Sequence, residues 1–546
     1  MSELNDKNNL NVIRYLKKTA GEFPDRKAII TRQRKKVHSI TFQSLWDQAD
    51  AFSMALKENY IYPGDRIILM IPMSVELYIT LLGVIKMGGV AVFVDPWVSH
   101  KQIASFCSFA EPRGYIGIGK SHLLRLLEKK LLSIPLTITT GLRLFRFPAK
   151  FSFNAMLNKK GAGDIFAAKM DDPALITFTS GSSGIPKGAN RTHGFLSSQY
   201  LALNHEFLYD TKDIDMPMFP VFALNNIADG RTSVIPDMDF RSVSSINAEV
   251  IYDQIIKNQV TTSTASPPFF DRLAELVIKK CIGKFPIRRI LTGGAPVSDV
   301  QLQKWRKAFP DTEIEIVYGS TEAEPVSHIS LEKRFEITGQ NNGENKGYCT
   351  GIPTSFLESK IIRIVKGPVE FKGSWNELEL KPGEIGELVV SGNHVCKDYY
   401  NNPEAVRESK IIASNGIVWH RMGDTGFFDE HNNFWMAGRV HSTIIRNKEI
   451  FHAQLVEQAA SELFDRMDQV AAVGIPDPET GERLILVIYT AQNYLKKDDI
   501  MQKIMGAGYE IDDVILTKKP LPVDPRHNSK IDYQELRSLI LQRGVL

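Results

Sequence analysis

Cysteine is scarce in this sequence: four in 546 residues, Cys107, Cys281, Cys349 and Cys396, far apart and without a CxxC pair. That spacing supports neither a disulfide framework nor a cysteine-ligated zinc site, and it points to a reducing compartment. Net charge is nearly absent. Lys and Arg number 66 against 63 Asp and Glu, leaving +3, so the overall field gives no footprint of a nucleic-acid binder. Long apolar runs are missing as well. The most apolar stretch, Ile67 to Val94, is broken by Pro72, Glu76, Lys86 and the Gly88-Gly89 pair, which excludes a clean bilayer span. The opening residues, MSELNDKNNLNVIRYLKKTAGEF, have no apolar core before a small-residue cleavage site, which argues against a secretory signal. These absences predict a cytoplasmic protein.

What is present is ordinary. With 43% apolar and 24% charged residues, 38 Gly and 27 Pro, the composition excludes collagen-like, coiled-coil and wholly disordered classes. The length corresponds to roughly three to four domains, or one large core with an appended lobe. Apolar runs alternate with helical patterns: Arg66-IILMIPM reads as a strand, Val75 to Met87 as a helix and Val90-AVFV as the next strand, a βαβ unit of a parallel sheet. Ala174-LITF, Val260 to Ala265, Arg289-ILTGG and Ile314-EIVYGS continue the alternation and predict an α/β architecture. From about Gly383 the segments shorten into strands joined by turns, predicting a small β-barrel-like unit over about 351–437. Helix-like Gln454 to Phe464 and Tyr533 to Gln542, with strand-like Val470 to Ile475 and Leu484 to Thr490, predict an α+β C-terminal lobe. The expected division is 1–438 for a large N-terminal domain and 439–546 for a smaller, mobile lid.

One local charge asymmetry stands out. Lys120, Arg125, Lys129, Lys130, Arg143, Arg146, Lys150, Lys159 and Lys160 face only Glu128 in that span, with Leu and Phe between them. Such a segment suits a solvated helix face, a membrane surface or an acidic carrier protein.

The most informative stretch is Phe178-Thr179-Ser180-Gly181-Ser182-Ser183-Gly184-Ile185-Pro186-Lys187-Gly188, directly after the apolar strand. Small residues let backbone N–H groups turn toward an anion, hydroxyls add donors and Lys187 brings a positive charge. It is not a Walker A loop, because Lys187 follows Pro186 and precedes Gly188. Nor is it a nucleophile elbow, since no Ser has a glycine two residues away on both sides.

TSGSSGIPKG resembles the phosphate loop of the adenylate-forming superfamily, which includes acyl-CoA synthetases, fatty acyl-AMP ligases and luciferases. Further segments follow in that family's order: Gly293-Gly294-Ala295-Pro296, Tyr318-Gly319-Ser320-Thr321-Glu322, Gly386-Glu387-Leu388, Gly423-Asp424-Thr425-Gly426, Gly438-Arg439 and Asn528-Ser529-Lys530-Ile531. The resemblance implies attack of a carboxylate on the α-phosphorus of ATP with loss of pyrophosphate, a reaction served by positioning and charge neutralisation. It places Thr179, Ser180, Ser182, Thr321 and Lys187 around the phosphates, Glu322 on Mg²⁺, Gly293 to Pro296 and Tyr318 at the adenine, and Asp424 and Arg439 at the ribose. Lys530 would neutralise the carboxylate and bridging oxygen.

Three positions depart from the pattern of relatives that pass the acyl group to coenzyme A. Pro220 stands where many carry a gating histidine, His441 where Asp or Lys is common at the hinge, and Lys448 where a glycine usually lets pantetheine pass. The segments Phe219-PVFALNNIADGRTSVIPDMDF and Val523-DPRHNSKI resemble the β-lactone-forming branch of bacterial long-chain olefin synthesis. There a 3-hydroxy acid is adenylated and its own hydroxyl expels AMP. Lactone formation, thioester formation with CoA, transfer to a carrier protein, and a non-catalytic nucleotide- or acyl-binding protein all remain open at this stage; the joint presence of Lys187, Glu322, Asp424, Arg439 and Lys530 speaks against the last. Lys530→Ala is expected to slow adenylate formation, followed as pyrophosphate release; a native rate would remove Lys530 from the chemistry.

Overall fold

The computed structural model describes residues 9–33, 36–94, 100–141, 149–159, 161–179, 187–240, 242–340, 347–463, 469–490, 496–523 and 531–543. The βαβ unit is there as the sequence predicts. Arg66–Met70 runs parallel to Val90–Phe93, with Arg66 opposite Val90, and the helix Val75–Lys86 crosses between them. Ser74 starts that helix by accepting a hydrogen bond from the Leu77 N–H at 3.3 Å. The helix is buried almost all round, so its one basic residue, Lys86, must be neutralised inside the core. Asp50 does this, 2.6 Å from the ammonium.

Seven strands form the first sheet, in the order Phe151–Ser152, Leu136–Thr140, Gly114–Ile118, Arg66–Met70, Val90–Phe93, Pro173–Thr179, Lys187–Thr192. All neighbours are parallel except the last pair, a hairpin that sets Thr179 opposite Lys187. A second sheet of 14 strands has a parallel centre, including Ile214–Pro217, Thr262–Ala265, Arg289–Gly293 and Glu313–Ser320. It then turns antiparallel at Ala323–Ser330 and Tyr348–Pro353.

The β-rich unit predicted after the main lobes is an open continuation of this second sheet, without barrel closure among the described strands. The physical reason is Tyr348–Pro353, which pairs on one side with Ala323–Ser330 and on the other with Phe434–Arg439, so the ladder runs on. Val418–Phe428, Gly386–Gly392 and Leu357–Ile362 then extend it outward. The third sheet has five strands, and all of them lie from Thr443 onward. No helix among the described residues is long and apolar enough to cross a membrane.

Glu387 of the Gly-Glu-Leu segment explains itself in this frame. It is 1% exposed and takes a bidentate contact from Arg421, with Nη2 to Oε2 at 2.7 Å and Nε to Oε1 at 3.2 Å. The guanidinium also donates to the carbonyls of Val365 and Glu408 at 2.6 and 3.1 Å. The pair ties Gly386–Gly392 to Val418–Phe428, the strand that carries Asp424. Glu387→Ala should therefore leave a buried, unpaired guanidinium and cost about 3–5 kcal/mol, whereas the apolar double replacement Glu387→Met/Arg421→Leu should cost much less. Urea denaturation measures both; a loss below about 1 kcal/mol for the single variant would mean that water compensates the pair.

Candidate active site

Two groups of side chains meet at the ends of the central strands. The first is built on a cross-strand pair, Asp424 opposite Arg439. Arg439 Nε lies 2.8 Å from Asp424 Oδ1, and the Tyr318 hydroxyl donates to Asp424 Oδ2 at 2.6 Å. Asp424 is buried while the arginine is half-exposed. Burial and the adjacent Asp424 carboxylate push the Tyr318 phenol well up, so it stays a donor. Its ring packs beside Phe434, with centroids 5.6 Å apart.

The second group surrounds Glu322, on the turn between Glu313–Ser320 and Ala323–Ser330. The Tyr399 hydroxyl donates to Glu322 Oε1 at 2.8 Å. Burial opposes ionisation of this carboxyl, but His420, Lys410 and the Tyr399 hydroxyl outweigh it and hold it below the usual range. Burial and Lys410 push His420 itself down to about 3, and burial likewise lowers the Lys410 ammonium. That ammonium is 3% exposed, donates to the Cys396 carbonyl, lies 3.1 Å from His420 Nδ1 and sits over the Tyr399 ring at 5.0 Å. Lys187 reaches the same patch, donating to Ser409 Oγ at 3.0 Å with Glu408 Oε2 at 3.6 Å.

Backbone contacts bind these segments together. Cys396 N–H donates to the Glu322 carbonyl at 2.7 Å, Tyr400 N–H to the Gly188 carbonyl at 2.8 Å, and Ala189 bridges to Tyr399. Arg191 closes the seam with two bonds to the Thr321 carbonyl, at 2.8 and 3.1 Å. The hairpin of the first sheet and the turn of the second are thereby joined.

Of the residues that the sequence singles out, the structure places Tyr318, Asp424 and Arg439 in the first group, Lys187 and Glu322 in the second, and Thr321 in the seam. Thr179 and Lys187 are paired across the hairpin, and the Ser320 hydroxyl accepts from the Glu322 N–H at 3.2 Å. Ser180, Gly181, Ser182, Ser183 and Gly184 lie outside the described residues, as does Lys530. The glycines have a packing cause. A Cβ on Gly293 would stand 2.3 Å from the Val317 carbonyl, and one on Gly319 2.8 Å from the Ala323 carbonyl, so both are set by the strand next to them. Gly294, at φ +82, and Pro296 are exposed beyond the strand, with Ala295 between them. Tyr399, Lys410, His420 and Arg191 are members the sequence reading missed. Alternation in Lys410-Ile411-Ile412 gives no hint that its lysine is buried; the Asp398-Tyr399-Tyr400 aromatic pair was the one visible signal.

Of the departures, Pro220 opens the helix Pro220–Asp229, a position whose missing N–H costs nothing. Lys448 is exposed in a hairpin turn, with Asn447 and Lys448 at φ +52 and +70, the left-handed pair of a type I′ turn and the reason a glycine suits that place.

Beyond Glu322, an apolar cavity lies between four helices, walled by Leu16, Leu82, Leu196, Leu203, Leu224 and Ile227. Gln199 belongs to its polar wall and donates to the Glu324 carbonyl at 3.2 Å, connecting the cavity to the strand after the Glu322 turn.

Residues 16–400 match the family described as AMP-binding enzyme. The olefin beta-lactone synthetase of Stenotrophomonas maltophilia is 28% identical over 96% of this chain and 97% of its own length. That of Xanthomonas campestris pv. campestris is 29% identical, covering 98% of both. Among solved structures, ATP-bound MatB from Rhodopseudomonas palustris superposes with a TM-score of 0.79 at 18% identity, over 98% of this chain and 99% of that one.

Glu324 allows a pH test of the seam. Burial, offset in part by Arg191, pushes its carboxyl up to about 7, against about 4.3 for a free glutamate. The folded state thus prefers the protonated form. Its contribution to stability is complete below the unfolded pKa and is lost as pH rises through about 7, on the order of 3 kcal/mol. Glu324→Gln should flatten the fall in denaturation midpoint between pH 5 and 8 and be the more stable protein at pH 8. Parallel wild-type and variant profiles would show that Glu324 is solvated.

Proposed function

The chain belongs to the AMP-binding enzyme family, and on that premise we propose that it activates a medium- to long-chain 3-hydroxy fatty acid with ATP and closes it to a β-lactone. Adenylate-forming ligation is the family's chemistry; the hydroxy acid and the ring closure are our reading. The observation that carries it is the meeting of a ribose-type cluster, Tyr318, Asp424 and Arg439, with a buried carboxylate and a lysine, Glu322 and Lys187, beside an apolar cavity.

In this reading Asp424 accepts the ribose hydroxyls in place of Tyr318, while Arg439 supplies a second contact. Tyr318 and the Gly293 to Pro296 segment take the adenine. Thr179, Lys187 and Thr321, with Ser180, Gly181, Ser182, Ser183, Gly184, Gly319 and Ser320, enclose the phosphates. Glu322 fits Mg²⁺: it is a hard oxygen donor held ionised in a buried setting, and no group of three or more His, Cys, Asp or Glu is poised for a metal among the described residues. Mg²⁺ needs only one or two carboxylates beside substrate phosphates and water. When bound, it would supply charge neutralisation at the phosphates. Tyr399 and Lys410 keep the carboxylate ionised and oriented for that task.

The acid's carboxylate attacks the α-phosphorus and pyrophosphate leaves, with Lys530 neutralising the joined anions. The substrate's 3-hydroxyl oxygen then attacks the activated carbonyl carbon. The acyl–phosphate C–O bond breaks, AMP departs and the hydroxyl proton is released. No thiol enters, in keeping with Pro220 in place of an imidazole. The Leu16–Leu224 cavity, about 40 Å³ in volume, is an apolar place for a short stretch of the alkyl chain, and a long chain requires the surrounding helices to part. The division at residue 439 belongs to the same proposal: 439–546 acts as a lid, supported by the confinement of the third sheet to residues after Thr443.

The test is pyrophosphate release with Mg-ATP across fatty acids and racemic 3-hydroxy fatty acids, with and without CoA, followed by product masses. Expected is a product lighter by one water, from 3-hydroxy acids alone and without CoA. Thioesters formed from simple acids only with CoA would replace lactone closure by acyl-CoA synthesis; no pyrophosphate from any acid would overturn activation itself.

A further inference from the structure

The helix Gly119–Leu127 faces the wrong way for a helix on a soluble protein's surface. Its inward side sets Leu124 against the apolar core and buries three polar residues beside it: Ser121, His122 and Arg125 are at most 5% exposed. Ser121 and His122 are accommodated by specific bonds. The Ser121 hydroxyl donates to the Ile118 carbonyl at 2.7 Å, the Tyr115 hydroxyl to the Ser121 carbonyl at 2.8 Å, and His122 Nε2 lies 3.1 Å from the Ile138 carbonyl. Its outward side is leucine. Leu123, Leu126 and Leu127 are 50, 44 and 69% exposed, and Leu132 of the next short helix is 47% exposed. A surface helix ordinarily turns its apolar stripe to the core; grouped outward leucines mark a contact surface.

Charge at the rim identifies the occupant. Lys120 precedes the leucines, Lys129 and Lys130 follow them, all three are exposed, and Glu128 is the one acid between. Leucines in the centre with lysines at the edge let the apolar face enter the headgroup boundary while the ammonium groups stay among phosphates. A protein partner would instead be met by a core rich in aromatic residues and arginine; the described part of this patch has neither exposed. Of the wider basic run, Arg125 is inside the fold, and Arg143, Arg146 and Lys160 lie outside the described residues.

We propose that this leucine–lysine face docks the enzyme on an anionic lipid surface, lying on the bilayer and not crossing it. The proposal rests on the reading that the substrate is a long-chain acid only for its purpose: such acids are dissolved in membranes, and a docked enzyme collects them there.

The test is co-sedimentation of the full chain with vesicles of phosphatidylcholine alone and with one-third phosphatidylglycerol, alongside pyrophosphate release on a short, water-soluble acid. Binding should be at least tenfold stronger to the anionic vesicles and fall with salt. Leu123→Asp/Leu127→Asp and, separately, Lys129→Glu/Lys130→Glu should each lower binding at least tenfold, with activity on the soluble acid unchanged. Absence of vesicle binding, or binding indifferent to the leucines, overturns the proposal. So does a concentration-dependent dimer, or a complex with an acidic carrier protein, that the leucine variants abolish while vesicle binding is untouched. Loss of activity on every acid with vesicle binding intact would instead strike the functional reading alone.

Discussion

The Glu322 carboxylate is the constraint around which the seam is arranged. A buried carboxylate is costly unless charge and hydrogen bonds compensate it, and its compensation comes from separate places in the chain: the Tyr399 hydroxyl, Lys410 and His420. Holding those groups at one spot requires the antiparallel wing of the second sheet to fold back over the turn. It also requires the hairpin of the first sheet to lie against residues 398–400. The two sheets, which also share an apolar core cluster through Ile29, Ile40, Ile67 and Leu69, are thereby fixed to each other at the point where Lys187 and the Tyr318–Asp424–Arg439 cluster arrive.

A similar economy governs the wing. Glu387 and Arg421 form a buried pair that contacts no candidate substrate group, yet the strand they secure is the one presenting Asp424. A residue in a recurrent motif can thus owe its place to packing alone. Gly293 and Gly319 carry the same lesson, because neighbouring carbonyls fill the space a side chain would need.

Much of this was legible from residue order. The βαβ unit, the central strands and the C-terminal elements fall within a few residues of their expected bounds, because apolar periodicity reports burial on a single element. The motif residues Lys187, Tyr318, Glu322, Asp424 and Arg439 were legible because short, chemically loaded strings carry them. The rest depended on long-range contact. Nothing in Lys410-Ile411-Ile412 says that the lysine is inside, and nothing in Gly119 to Leu127 says which face is turned outward. The expected barrel became an open extension since one strand, Tyr348–Pro353, has partners on both sides. Local pattern predicts strands; closure is decided by pairing partners tens of residues away.

The Thr179–Lys187 pairing has a thermodynamic consequence. The antiparallel ladder holds Thr179 opposite Lys187, the two residues that flank 180–186. The entropy of bringing loop ends together is then spent during folding, before any nucleotide arrives. On the proposed function, affinity for a triphosphate is in this way coupled to the stability of a hairpin, and residues along Pro173–Thr179 and Lys187–Thr192 would modulate it without touching the ligand.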